Sequence, residues 1–402
     1  MKILIYGINF SPELTGIGKY SGEMAQWLVE QEHNVRIITA PPYYPEWSIN
    51  EKFKNFYSIK KSKNLSIIRC PLYVPSTPNT KKRLVHLASF SISSFIPMLG
   101  SAFWKPDIVI QIVPTLFCSI QTLLLTKLVG AKSVVHIQDY EVDAMFGLSI
   151  AKNGFLKNIA YWLEKKILNN FDIVSSISQG MLNRAIQKGI NKNNLLFFPN
   201  WSEVSRFENQ SKNKKFLIDL GINPDVKVVL YSGNMGEKQG LESVVYAANC
   251  MKENNDIHFV MVGEGSAKAS LENLSIELKL KNISFLPLLP YDKLPILLAS
   301  ADCHLVIQKK GIADAVLPSK LTNILSVGGN SVITATENST LGLLCKEISE
   351  IAVLVEAESV DALVVGIEQA LLMTIPNKVA QNYAKEFLDK DMILRRFINY
   401  FE

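Results

Sequence analysis

The sequence predicts an α/β protein made of two doubly wound parallel-sheet domains that face each other across a cleft. Three observations carry that prediction. A chain of 402 residues is longer than one hydrophobic core comfortably organises. Short apolar runs without alternation, the pattern of strands buried on both faces, alternate with helical segments in each half. Around residues 203–225 the pattern lapses into a polar stretch, "SEVSRFENQSKNKKFLIDLGINPDVK", and then restarts.

In the first half, strands are expected at 2–6, 35–39, 107–113, 133–137, 172–177 and 195–198. Helices are expected at about 17–31, 81–103, 115–129, 155–169 and 179–188. The second half repeats the arrangement, with strands near 226–232, 257–262, 283–286, 303–307, 331–334 and 351–355. The expected domains are 1–204 and 205–379, with a closing helical segment, about 380–402, that crosses back onto the first domain.

Composition is that of a globular protein, 48% hydrophobic and 20% charged. Five widely spaced cysteines (Cys70, Cys118, Cys250, Cys303, Cys345) form no CxxC pair, which fits reduced cytosolic thiols and argues against structural zinc. The opening "MKILIYGINF" is too short and too soon broken to read as a signal peptide.

The net charge of +5 is unevenly spread: residues 1–200 hold 22 basic and 12 acidic side chains, the remainder 20 and 25. Lys52, Lys54, Lys60, Lys61, Lys63, Arg69, Lys81, Lys82 and Arg83 face only Glu51 within residues 50–90. Such a face is either plain solvated surface or a seat for an anionic partner; no nucleic-acid partner is expected. Directly after it, "LVHLASFSISSFIPMLGSAFW" (84–104) carries no formal charge. It is long enough to span a bilayer, but His86, Pro97, Gly100 and five serines weigh against a span. A buried core helix and a helix docked on a membrane surface remain, and the second would use Lys81, Lys82, Arg83, Phe95 and Trp104.

In doubly wound sheets ligands sit at the carboxyl ends of strands, so the loops leaving strands carry the chemistry. After the first strand come Gly16 and Gly18, feeding a helix. Ser21 fills the third glycine position of a dinucleotide fingerprint, and no carboxylate ends the second strand, so nicotinamide or flavin binding is not supported. A glycine loop at a helix N-terminus instead lets a sugar or phosphate approach the backbone, unless it is only a flexible turn. "SGNMGEKQGLESVV" adds Gly233, Asn234 and Gly236 with Lys238 before a helix, a set suited to a diphosphate without the Walker spacing. "DAVLPSKLTNILSVGGN" places Pro318, Ser319 and Lys320 at a helix start and Asn323 one turn on. "VVHIQDYEVDAMFGL" releases His136, Asp139 and Glu141 at a strand end. By alternation His136 and Gln138 share a face while Asp139 projects; Asp139 is the candidate for sugar or acceptor contact, and His136 reads rather as a satisfied core histidine. His304 reads as core.

Taken in order, "INFSPELTGIGKYSGEMAQWL", "IITAPPYYPEW", "HIQDYEVDAMFGL", "FFPNWSE", "YSGNMGEKQGLE" and "DAVLPSKLTNILSVGGN" resemble the family 4 bacterial glycosyltransferases. Within them the resemblance is to the colanic-acid and O-antigen N-acetyl-L-fucosaminyl transferase group. The resemblance implies the GT-B fold of two Rossmann-like domains and a retaining transfer in which the leaving phosphate serves as base. It implies a nucleotide-sugar donor, with UDP-N-acetyl-L-fucosamine favoured and GDP-fucose the alternative, and a polyprenyl-diphosphate-linked saccharide acceptor. Such an acceptor implies work at the cytoplasmic face of the plasma membrane, with the enzyme peripherally attached to the inner leaflet. No cofactor is implied and the reaction would be metal-independent; "DYEVD" does not have DxD spacing.

By the same resemblance Gly16, Gly18, Gly233, Asn234, Gly263, Lys238, Pro318, Ser319, Lys320 and Asn323 would bind the donor, and the Gly16–Gly18 loop would face the acceptor as well. His136, Asp139 and Glu141 would meet the acceptor or the sugar, with Lys238 and Asp139 closest to the chemistry. The family's E-x7-E pair falls on Ala315, beside Asp314, and on Asn323, so both carboxylates are missing from their usual places. A non-hydrolysing UDP-sugar 2-epimerase is the competing reading.

Overall fold

Two parallel sheets organise the chain, each in its own compact unit: Met1–Asn200 and Trp201–Glu402. The computed structural model describes residues 1–13, 16–77, 79–143, 154–237, 239–310 and 319–402.

The first sheet contains β1 (Lys2–Tyr6), β2 (Asn34–Thr39), β3 (Ser58–Lys61), β4 (Leu65–Arg69), β5 (Ile108–Val113), β6 (Lys132–Ile137), β7 (Ile173–Ser176) and β8 (Leu195–Phe197). Their order is β3-β4-β2-β1-β5-β6-β7-β8, parallel throughout except for the β3–β4 pair. The apolar runs take the central places because helices cover both faces there: every residue of β5 is buried. The β3–β4 hairpin is an addition to the expected pattern. Its outer strand, "SIKK", is exposed along its length, so it reads in sequence as part of a basic surface run. Lysines on such an edge also discourage pairing with another chain.

The second sheet is wholly parallel. It contains β9 (Lys227–Ser232), β10 (Ile257–Val262), β11 (Ile283–Leu286), β12 (Cys303–Val306), β13 (Ser331–Thr334) and β14 (Val353–Val355), ordered β11-β10-β9-β12-β13-β14. Alternate residues feed cores on opposite faces: Val228 and Leu230 enter one, Val229 and Tyr231 the other. The polar stretch after residue 203 belongs to this unit, for Val204, Phe207, Leu217 and Ile222 are buried in its core. So do Ala380, Ala384 and Leu388 of the closing helical segment.

The helices of the first unit include α1 (Gly16–Glu30), α2 (Thr80–Gly100) and α3 (Ser119–Val129). Helix α2 is capped by Asn79, whose side chain accepts the Lys82 backbone N–H. Its buried side carries His86, Phe90, Ser91, Ser94 and Met98, while Val85, Ile92, Phe95 and Ile96 are exposed. Helix α3 does the same, burying Gln121, Thr122 and Thr126 and exposing Ile120, Leu124 and Leu128. Several of the inward polar groups bond one another, and the Thr122 and Thr126 hydroxyls donate to backbone carbonyls one turn back. The Tyr6 hydroxyl meets Ser94 and Gln121, and the Gln121 amide donates to Ser91. Both helices thus bury polar groups beside Phe90, Met98 and Leu125 and turn further apolar side chains outward, where an ordinary surface helix would be polar.

Candidate functional site

A cavity of about 550 Å³ opens at the carboxyl ends of β1, β2 and β6. Adjacent parallel strands deliver their loops to the same edge, so segments far apart in sequence converge there. Gly16 and Gly18 come from the turn into α1, Tyr43, Tyr44 and Trp47 from the loop after β2, and Asp139 and Glu141 from the turn after β6. Asn79 and Arg83 at the head of α2 complete the rim.

The carboxylates are electrostatically unusual. Both oxygens of Glu141 lie 3.1–3.2 Å from the Leu116 backbone N–H, which they accept. Burial, reinforced by the negative charges of Glu164 and Asp139, pushes the Glu141 carboxyl up to about 7. Burial raises Asp139 as well. Beneath them the Lys188 ammonium sits 2.8 Å from Asp143 and 2.5 Å from Glu164, bracing the turn that carries both groups.

Another part of the lining is aromatic. Tyr43 and Trp47 rings lie 5.7 Å apart, and His86 packs against both at 4.7 and 5.4 Å. Arg83 is stacked 5.3 Å over Trp47. An aromatic wall and two carboxylates lining one cavity suit a ligand with apolar C–H faces and many hydroxyls.

His136 stands apart from this cavity, which corrects its assignment to sugar contact. It is buried, with Nδ1 3.0 Å from the Ser175 hydroxyl and Nε2 2.9 Å from the Gln138 amide nitrogen. Gln138 in turn exchanges two 3.0 Å hydrogen bonds with Asn200. Burial lowers the His136 pKa to about 3, so the ring is a neutral part of the core. His304 is buried too.

In the second unit, the loops after β9 and β10 are laced together. Gly233 N–H donates to Val262 O at 2.9 Å and Met235 N–H to Glu264 O at 2.8 Å. Gly263 has a φ of +151°, and a Cβ there would overlap the Gly233 carbonyl oxygen, so only glycine permits this approach. Lys320, in the first turn of the helix Ser319–Val327, reaches back to these loops. Its ammonium donates to the Tyr231 hydroxyl at 3.3 Å and lies 4.4 Å over the Tyr231 ring. Burial depresses the Lys320 pKa to about 8, and an anion beside it would restore the charged form. Asn234 is exposed beside Gly233. Asn323 is engaged elsewhere: its Oδ1 accepts the Ser202 hydroxyl at 3.0 Å. Lys238, Pro318, Asp314 and Ala315 lie outside the described residues, as does the side chain of Ser319.

The five residues assigned to a membrane face divide. Lys81 and Phe95 are exposed on α2, and Lys82 bonds the Thr77 hydroxyl at 3.0 Å. Arg83 is drawn to the cavity through Trp47. Trp104 is half-buried, packed on the core with the Arg36 guanidinium 4.5 Å over its ring. Among the described residues no group of three or more His, Cys, Asp or Glu side chains is placed to hold a metal ion.

Sequence reasoning passed over Tyr43, Trp47 and Glu13. The available signal was "APPYYPEW", an aromatic-rich loop leaving β2 at the same edge as the Gly16–Gly18 loop.

Comparison with known proteins agrees with this geometry. Residues 15–201 match the glycosyl transferase 4-like domain, and residues 212–387 match the glycosyl transferases group 1. The chain is 53% identical to the colanic acid biosynthesis glycosyl transferase WcaI of Escherichia coli (strain K12), over 99% of each. Its fold is similar to sucrose-phosphate synthase of Thermosynechococcus elongatus (TM-score 0.68, 14% identity, 100% of this chain and 98% of that one). It is similar also to Anabaena Alr3699/HepE in complex with UDP (TM-score 0.67, 14% identity, 100% and 99%).

Proposed function

Because the chain belongs to the family 4 glycosyltransferases of GT-B fold, nucleotide-sugar-dependent enzymes, we propose that it adds one sugar to a lipid-linked acceptor during assembly of a colanic-acid or lipopolysaccharide-type surface polysaccharide. The favoured donor is UDP-N-acetyl-L-fucosamine and the favoured acceptor a polyprenyl-diphosphate-linked saccharide. The observation that carries this reading is the convergence of Gly16, Gly18, Asp139 and Glu141 on one aromatic-walled cavity. That cavity takes the acceptor sugar. The second unit, with its interlocked glycine loops and the desolvated Lys320 ammonium, takes the donor diphosphate together with Lys238.

In the transfer step the bond between the donor's anomeric carbon and phosphate oxygen breaks, and a bond from the acceptor hydroxyl oxygen to that carbon forms on the same face. The hydroxyl proton passes to the departing phosphate, and configuration is retained. Negative charge grows on the diphosphate, and fixed cations and backbone N–H groups aimed at it stabilise it most where water is excluded. Lysines supply that stabilisation here, so no divalent metal is required. The outward apolar faces of α2 and α3, with Lys81 and Lys82 at the head of α2, rest on the inner leaflet where the acceptor lies, which makes the protein a peripheral cytoplasmic enzyme.

The experiment is a donor panel read by mass spectrometry against polyprenyl-diphosphate-linked N-acetylglucosamine. UDP-N-acetyl-L-fucosamine should add one residue to the acceptor. Addition from GDP-fucose alone would replace the donor assignment, and epimerisation of a UDP-sugar without acceptor would overturn the transferase reading of the site.

A further inference from the structure

Two loops line the proposed acceptor cavity from neighbouring strands, and each needs the other to hold its place. The side chain joining them is Glu13, which does not itself border the cavity. It is 6% exposed. Its Oε1 accepts the backbone N–H groups of both Tyr43 and Tyr44, each at 3.2 Å, and its Oε2 accepts the Asn9 amide at 3.0 Å. Arg69, 7% exposed, ties the same two loops from the other side. Its guanidinium donates to Ala40 O at 2.6 Å and to Ser11 O at 2.5 Å.

Gly18 completes the clasp. A methyl group on Gly18 would stand 2.5 Å from Glu13 Oε2 and 2.6 Å from Glu13 Cβ, so the glycine lets α1 press against the buried carboxylate. From Tyr43 contacts run on to His86 on α2 and to Trp47, whose ring carries the Arg83 guanidinium. Tyr43 and Tyr44 present adjacent N–H groups to a single oxygen, so the aromatic wall is set by one side chain from the preceding strand's loop.

We propose that Glu13 is a positioning residue for the acceptor: it fixes the Tyr43–Trp47 wall relative to the Gly16–Gly18 turn. The proposal rests on the cavity being the acceptor site. Loss of its carboxylate leaves the buried Tyr43 N–H and the part-buried Tyr44 N–H without their acceptor, and the loop carrying them loosens.

The test pairs amide hydrogen exchange over residues 41–48 with steady-state kinetics on Glu13→Ala, Glu13→Gln and Gly18→Ala. Glu13→Ala should raise exchange across 41–48 and raise the acceptor KM about tenfold, with donor KM and kcat changing much less. Glu13→Gln keeps an oxygen for both N–H groups and meets Asn9 by a flip of the Asn9 amide, so it should restore protection and acceptor KM. Gly18→Ala, which leaves the loop residues themselves untouched, should raise exchange over 41–48 in the same way and keeps the test open should Glu13→Ala not fold. Unchanged exchange in Glu13→Ala, or in Gly18→Ala where only that variant folds, overturns the clasp without touching the acceptor reading. Raised exchange with an unchanged acceptor KM overturns the positioning role and counts against the cavity as the acceptor site. A Glu13→Gln variant as impaired as Glu13→Ala overturns positioning in favour of the charge itself.

Discussion

At the carboxyl ends of the first sheet stand side chains: two carboxylates of raised pKa, two tyrosines, a tryptophan and an arginine around one cavity. At the carboxyl ends of the second sheet, beside Gly233 and Gly263, backbone comes close to backbone and one ammonium reaches in from Lys320. The same parallel-sheet plan therefore offers two chemistries. On the proposed assignment, side chains with shape and hydrogen-bonding variety would select the hydroxylated acceptor, and glycine loops with a cation would hold the donor's diphosphate whatever sugar it carries. The helices differ in the same sense. Glu242–Cys250 in the second unit buries Val244, Val245, Ala247 and Ala248, whereas α2 and α3 bury serine, threonine and glutamine beside Phe90, Met98 and Leu125 and turn isoleucine and leucine outward. That outward apolar surface is what the proposed attachment to the inner leaflet would use.

The largest expected effect breaks the second unit's side of the comparison. Lys320→Ala and Lys238→Ala should each lower kcat by roughly 10²–10³, about 3–4 kcal/mol, because each removes a fixed donor from developing diphosphate charge. Initial rates at saturating acceptor check this, and near-wild-type turnover in either variant removes that lysine from the site.

Next comes the first unit. Glu141→Gln and Asp139→Asn should raise the acceptor KM about tenfold, the loss of one charge-assisted hydrogen bond. Glu141 also gives a pH signature. Its carboxyl, held at about 7 by burial, binds hydroxyl groups best when ionised, so kcat/KM for the acceptor should rise as pH passes about 7, and Glu141→Gln should flatten that rise. Stability should move the other way. The folded carboxyl keeps its proton where the unfolded one, at about 4.5, has lost it. Stability therefore falls from about pH 4.5 to about pH 7 in the wild type relative to Glu141→Gln. Chemical denaturation at several pH values reads the slope.

Smaller effects sharpen the contrast between the helices. Vesicles containing phosphatidylglycerol should retain the protein at low salt and release it as salt rises. Lys81→Ser with Lys82→Ser should weaken binding by roughly 2 kcal/mol, about 1 per lysine, and Ile92→Ser with Ile96→Ser should weaken it at every salt concentration. Binding indifferent to all four changes would count against the outward face as the contact. The smallest effect is none: excess EDTA should leave initial rates unchanged, and loss restored by Mg2+ would contradict a lysine-based site.

Much of the fold was legible in the sequence because buried parallel strands announce themselves as uninterrupted apolar runs, and every such run became a strand. The β3–β4 hairpin was not, since "SIKK" has no buried face to pattern. Asp139 and Glu141 were legible from their place at a strand end. Their partnership with Tyr43, Trp47 and Arg83 was not, because it depends on β2 lying beside β1 and on the head of α2 reaching the same edge. His136 divides the two kinds of reading: its place in the strand's alternation marks a core histidine, satisfied by Ser175 and Gln138, whereas the resemblance alone put it at the sugar.

The division of ligands between the two units is tested most directly by amide hydrogen exchange of the whole protein with one ligand at a time. UDP alone should protect residues 233–237, 263–266 and 319–323. A short-chain diphosphate-linked N-acetylglucosamine alone should protect residues 41–48, 114–118 and 139–141. Protection of the first-unit loops by the acceptor analogue and of the second-unit loops by UDP is the predicted result; the acceptor analogue protecting only the second unit, or UDP leaving 233–237 and 319–323 unchanged, would contradict it.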